Sequence, residues 1–198
     1  NRIGRNGIGI RVSGDRNTIA GNLVGTDADG RNFGNSVAGI ALIGGPSNPS
    51  AGNAVGAVGS LRENVIGWNP VGVSLQYADG NTLTNNLVGF SLFTGSLGLA
   101  IPNDVGVQVI DSKANVVGPP VDADPAHPAK VWETDLLVGA NVISGNRRSG
   151  IALGSGASGN TVRGNLIGRA TLHLPNPGAG GSYAVTTAGN VGPGFEIT

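Results

Sequence analysis

Hydrophobic residues in this chain come in short runs of period two, and the runs recur. Six of them open on a glycine: Gly9-Ile10-Arg11-Val12, Gly39-Ile40-Ala41-Leu42, Gly72-Val73-Ser74-Leu75, Gly106-Val107-Gln108-Val109, Gly150-Ile151-Ala152-Leu153 and Gly194-Phe195-Glu196-Ile197. An apolar pair split by one residue is the pattern of a strand with one buried face. It points Ile10, Val12 and their counterparts inward, and Arg11, Ala41, Ser74, Gln108, Ala152 and Glu196 outward. A second set of runs opens on Asn17, Asn53, Asn81, Asn115 and Asn160, with Ile19, Val55, Leu83, Val117 and Val162 two places on. A third opens on Asn1, Asn22, Asn64, Asn86, Asn141 and Asn165, with Ile3, Val24, Ile66, Val88, Ile143 and Ile167 in the same place. A further asparagine closes each third run: Asn6, Asn35, Asn69, Asn103, Asn146 and Asn190.

Three short strands followed by the same three again describe one turn of a solenoid. No period of 3.6 is present, so no amphipathic helix is expected. Strands this short bury a core only by stacking turn on turn, which makes three parallel sheets around a filled interior. Glycine and asparagine belong at the corners, where the backbone needs a positive φ or a side chain that bonds its own main chain. Like residues then lie above one another, and stacked asparagines can hydrogen-bond along the axis. The predicted fold is all-β: a single-stranded parallel β-helix of about five to six turns, with the asparagines as structural columns.

Insertions alternate between two corners. The step from the second asparagine set to the third is five residues at Asn17, Asn81 and Asn160, but eleven from Asn53 and twenty-six from Asn115. The step after the third set is five residues from Asn1, Asn64 and Asn141, but thirteen, seventeen and twenty-five from Asn22, Asn86 and Asn165. The underlying repeat is therefore two turns long. One domain is expected over 1–198, with long insertions at 118–140 and 168–190. Both ends fall in mid-turn without a polar capping helix, which suggests a fragment of a longer solenoid or open edges that pair with something.

Composition narrows the function classes. The chain has 198 residues, 36 of them glycine, and net charge zero, so no basic footprint for nucleic acid is present. No apolar run is long enough to insert in a membrane as a helix. Without cysteine there is no disulfide framework, thiolate metal site or cysteine nucleophile.

Runs such as Asn141-Val142-Ile143-Ser144-Gly145-Asn146 and Gly21-Asn22-Leu23-Val24-Gly25-Thr26-Asp27 resemble the right-handed parallel β-helix repeat family, the pectate-lyase-like solenoids, in its secreted or surface bacterial form. The resemblance covers essentially the whole chain. It implies a right-handed coil, as does the crossover rule for parallel strands. It implies an extracellular or cell-surface location. The family spans polysaccharide lyases, hydrolases and epimerases as well as tailspikes and adhesin stalks, so fold alone leaves activity open.

Enzymes of that family need clustered carboxylates with a basic partner. The outward residues of the glycine strands supply no carboxylate pair on adjacent turns, and no complete catalytic constellation is found. The richest chemistry lies in the 118–140 insertion, where Asp124, His127, Lys130 and Trp132 form a candidate ligand-binding group beside Asp122, Glu133 and Asp135. No cofactor is expected. Calcium is the one candidate metal, at Asp27 and Asp29 of Asp27-Ala28-Asp29-Gly30, whose alternating oxygens and turn glycine resemble a calcium loop. Trp68 suggests sugar stacking or packing on a neighbouring loop, while Arg147-Arg148 and isolated His173 read as ordinary surface residues. Two functions follow as expectations. The first is a structural or adhesive solenoid segment that self-associates end to end through open ends. The alternative is a carbohydrate-active β-helix working on acidic polysaccharide.

Overall fold

The alternation that buries Ile40 and Leu42 repeats in five other strands, and hydrogen bonding stacks all six into one parallel sheet. The computed structural model describes residues 1–57, 62–92, 98–119, 139–168, 171–175, 182–186 and 189–198. The first sheet runs Ile8–Val12, Ala38–Ile43, Val71–Gln76, Val105–Ile110, Ile151–Leu153 and Phe195–Ile197. Its register matches like with like: Arg11, Ala41, Ser74, Gln108, Ala152 and Glu196 form one row. The second sheet stacks Thr18–Ile19, Ala54–Val55, Thr82–Leu83, Val116–Val117 and Thr161–Val162. The third stacks Arg2–Ile3, Leu23–Val24, Asn64–Ile66, Asn86–Val88, Val142–Ile143 and Leu166–Ile167. Every pairing within these three sheets is parallel, and no helix occurs among the described residues. The chain is a parallel β-helix.

The inward residues meet in a single core along the axis. Val24, Ile40, Leu42, Val55, Ile66, Val73 and Leu75 are wholly buried there. Burial fades on the last coil, where Phe195 and Ile197 are 42% and 73% exposed although the pattern points them inward. Ala41 departs the other way. It stands in the outward row yet is 1% exposed, since a methyl between taller neighbours about 4.8 Å above and below is hidden by them.

A second core was not foreseen from the sequence. The outer side of the third sheet carries Leu23, Val65, Leu87, Val142 and Leu166, and Phe90 and Ile101 cover it. Both come from the insertion between Asn86 and Asn103, whose ends pair as the antiparallel strands Phe90–Ser91 and Leu99–Ala100. The insertion 168–190 likewise holds an antiparallel hairpin, Thr171–Pro175 with Ser182–Thr186. A sheet apolar on both faces must be covered on both. The insertion between Asn86 and Asn103 does that here.

The asparagines form three unbroken columns. In one, Nδ2 of Asn1, Asn22, Asn64, Asn86 and Asn141 donates to Oδ1 of the next member, ending on Asn165, at 2.8–3.0 Å. In another, Asn17, Asn53, Asn81 and Asn115 do the same up to Asn160 at 2.9–3.0 Å. The third climbs from Asn6 through Asn35, Asn69, Asn103 and Asn146 to Asn190 at 2.9–3.3 Å. All fourteen bonds run the same way along the axis. Asn81 shows why no other side chain serves. Its Nδ2 donates to Asn115 Oδ1 and to the Ser50 carbonyl, both at 3.0 Å, while its Oδ1 accepts from the backbone and side chain of Asn53 at 2.8 and 3.0 Å. Two donors and two acceptor positions on one short planar group are all used, which lets a polar side chain sit fully buried.

Candidate functional site

Among the described residues, the outer face of the second sheet is lined by small and hydroxyl side chains. Each of its strands contributes one outward residue, and register sets these in the row Thr18, Ala54, Thr82, Val116, Thr161. Thr18 and Thr82 are exposed. The row floors an open trough of about 570 Å³. Gly56, Ala57, Thr84, Gly118, Arg62 and Arg163 complete its lining. Arg62, Thr84 and Arg163 share one corner position, each two residues before a column asparagine (Asn64, Asn86 and Asn165).

The trough is basic and built. Arg163 donates its Nε to the Pro119 carbonyl at 2.8 Å, which holds its guanidinium at the rim. The Arg62 carbonyl accepts from Gly21 N at 3.2 Å, fixing its backbone to the coil below while the side chain stays exposed. Neither guanidinium pairs with a carboxylate among the described residues. Among the described residues, no carboxylate lines the trough. Threonine hydroxyls and guanidiniums can bind and orient an anionic or polyhydroxy ligand there, and none of them is a general acid or base near neutral pH.

The structure places the sequence candidates as follows. Asp124, His127, Lys130 and Trp132 lie outside the described residues. Their insertion leaves the coil at Gly118-Pro119, on the trough's rim, and rejoins it at Gly139. Asp27 is 5% exposed, and its Oδ1 accepts from the backbone N–H of Asp29 at 3.0 Å and of Arg31 at 2.9 Å. The Arg31 guanidinium lies 3.7 Å from Asp27 and 3.0 Å from Asp29. These carboxylates therefore close a turn around an arginine, and a calcium ion would have to displace those partners. No cluster of three or more metal-binding side chains occurs among the described residues. Trp68 packs on a neighbouring loop: its Nε1 donates to the Gly30 carbonyl at 3.0 Å, and its ring lies against the outer core. Its φ of +63° is rare for a bulky residue and turns the indole onto that loop. Arg147 pairs with Asp104 at 3.2 Å and lies 6.0 Å from the Trp68 ring. His173 falls in a hairpin strand.

A smaller cavity of about 290 Å³ lies at the corner after the first sheet. Tyr77, Asp79, Asp111 and Lys113 line it. Two carboxylates thus meet one cavity from successive turns, a juxtaposition that inspection of the glycine strands alone could not reveal. One Asp79 oxygen is already committed to the Lys113 backbone N–H at 2.7 Å.

The trough residues were missed for a definable reason. Thr18, Thr82 and Thr161 each follow an asparagine of the second set, and Arg62 and Arg163 each precede one of the third set by two. That alignment was readable, and the threonines beside Ile19 and Leu83 mark a polar outer face, but nothing local says that arginines from distant turns meet beside it. Comparison with protein families, with curated proteins and with solved structures gave no match, so the fold and the site rest on the geometry described above.

Proposed function

We propose that the chain is a structural and adhesive segment of an extracellular or cell-surface rod, of the secreted bacterial solenoid type. The observation that carries this reading is the set of fourteen amide–amide bonds, all of one polarity and eight of them fully buried. Such columns stiffen the coil along its axis and use no residue for chemistry. Their polarity also governs extension. Whatever coil continues the rod, whether a further turn or the first turn of another copy, must set its Oδ1 row on the Nδ2 row beneath, so growth is head to tail. Light scattering and negative-stain electron microscopy over a concentration series test the proposal. Rods of one diameter that lengthen with concentration are expected. A short monomer at every concentration would rule out end-to-end self-association.

The trough supports a second reading, a carbohydrate-active β-helix acting on acidic polysaccharide, because Arg62 and Arg163 bring positive charge to its described lining. Ultraviolet and reducing-end assays on a panel of acidic glycans, with and without calcium, decide it. Release of unsaturated or reducing ends establishes that activity, and its absence across the panel removes it.

A further inference from the structure

The cavity of about 290 Å³ at the corner after the first sheet takes no part in either reading above, and the segments that line it, 45–49, 77–79, 111–113 and 156, all lie within the described residues. Two successive turns build it with one three-residue step, Tyr77-Ala78-Asp79 and Asp111-Ser112-Lys113. The middle residues, Ala78 and Ser112, are wholly buried, and the Ala78 backbone N–H donates to the Ser112 hydroxyl at 3.0 Å. Alternation turns the four flanking residues outward, and all four line the cavity. Stacking sets them in a two-by-two grid, about 4.8 Å from turn to turn and roughly 6–7 Å along the chain. Asp79 and Asp111 stand on one diagonal, Tyr77 and Lys113 on the other.

The backbone fixes the grid while its polar ends stay uncommitted. Asp79 Oδ1 accepts from the Lys113 backbone N–H at 2.7 Å, which ties the two turns together. The Lys113 ammonium lies within 4 Å of no described carboxylate. The Asp111 carboxylate and the Tyr77 hydroxyl hydrogen-bond to no described residue. Tyr77 and Asp111 also hold φ of +48° and +47°, a conformation uncommon for any residue but glycine. Gly156 bounds the cavity above, where a Cβ would collide with the Asp111 carboxylate, and Pro46 and Pro49 give it an apolar wall.

We infer that this cavity binds a free α-amino acid as its zwitterion, with the ammonium on the Asp79–Asp111 diagonal and the carboxylate on the Tyr77–Lys113 diagonal. Acceptors and donors alternate around the grid. A ligand that engages all four must carry a cation and an anion side by side, and an α-carbon holds the two one bond away on either hand. A bare cation would lie against the Lys113 ammonium, and a bare anion against two carboxylates. Each contact with the zwitterion is instead a charge-assisted hydrogen bond. The volume falls at the lower end for small-molecule pockets, which suits a single amino acid with its side chain on the proline wall.

Calorimetry of the intact chain with glycine, L-alanine, L-serine and L-leucine tests this, with the amide and N-acetyl form of each as ligands that keep one charge and lose the other. At least one of the four is expected to bind with a Kd of about 1 mM or tighter, and its amide and N-acetyl forms about tenfold more weakly or worse. Asp111→Asn and Lys113→Ala are each expected to weaken binding about tenfold. Neither side chain gives up a hydrogen bond within the described chain, and matched melting curves verify folding. Asp15→Asn is the control: Asp15 holds the corner position of Asp79 two turns below, accepts from the Ala51 N–H at 2.8 Å, and should leave binding unchanged. Equal losses from Asp15→Asn and Asp111→Asn would overturn the inference. So would an amide that binds as tightly as its amino acid, which would mark a simple cation site, or no saturable binding of any of the four up to about 10 mM. The inference does not rest on end-to-end assembly, and microscopy of the rods is read separately.

Discussion

Asn81→Ala is expected to destabilise the chain by about 3–5 kcal/mol in urea unfolding. The side chain is 0% exposed, and truncation removes four hydrogen bonds at once. It orphans the Asn53 backbone N–H and takes a donor from the Asn115 Oδ1 and the Ser50 carbonyl in a region that water does not reach, and each unsatisfied buried group costs about 1–3 kcal/mol. Asn6→Ala is the matched control. That asparagine is exposed at the start of its column, with donor bonds of 3.1 and 3.3 Å, so its loss should cost under about 1 kcal/mol. Asn81→Asp separates shape from hydrogen bonding. An ionised carboxylate there would face the Asn115 Oδ1 and the Ser50 carbonyl with no proton to give either. Burial among acceptors raises the folded-state pKa of the introduced acid above its unfolded value of about 4. The variant is then most stable at low pH and loses stability as pH climbs through the window between those two values. Pure steric damage would show no such slope.

The second large effect belongs to the glycine column that opens the first sheet. A Cβ on Gly72 would sit 2.5 Å from the Gly106 carbonyl oxygen, 2.9 Å from Val88 Cγ1 and 3.1 Å from Asn103 Nδ2. Gly39 and Gly106 meet the same three kinds of neighbour, so the column is glycine because the turns approach closely there. No side chain can be admitted without prising one coil from the next. Gly72→Ala is expected to cost about 3 kcal/mol, at the upper end of ordinary overpacking, because the obstacle is backbone. Gly45→Ala, with nothing within 4 Å and no unusual φ, should be close to neutral. Similar losses at both positions would show that helical-turn entropy, not contact, sets the preference for glycine.

Both effects were foreshadowed in the sequence, because the solenoid writes its three-dimensional neighbours into local text. Asn17, Asn53, Asn81, Asn115 and Asn160 each carry the same short signature, so a column can be assembled without knowing where the insertions go. The second core was legible in principle. Leu23-Val24, Val65-Ile66, Leu87-Val88, Val142-Ile143 and Leu166-Ile167 pair two apolar residues where the second sheet has Thr18-Ile19 and Thr82-Leu83. Continuous apolar strands signal a sheet covered on both faces. What covers it was not legible, since Phe90 and Ile101 lie in an insertion without a repeat. The trough is harder still. Arg62 and Arg163 are about a hundred residues apart in the chain, and they line one trough only because three coil steps bring their corners into one column. Trp68 shows the limit from the other side: a tryptophan at a corner suggests sugar stacking, and only its bond to the Gly30 carbonyl identifies it as packing.

Hydrogen exchange of the asparagine side-chain amides, followed by NMR, reaches the account at its root. Slow Nδ2 exchange is predicted for Asn64, Asn86, Asn81, Asn115, Asn69 and Asn103, each of which is at most 2% exposed and hands a proton to its neighbour one turn on, with exchange near the rate of free amides for the exposed Asn6 and Asn17. Fast, uniform exchange across all eight would mean that the columns do not exist in solution.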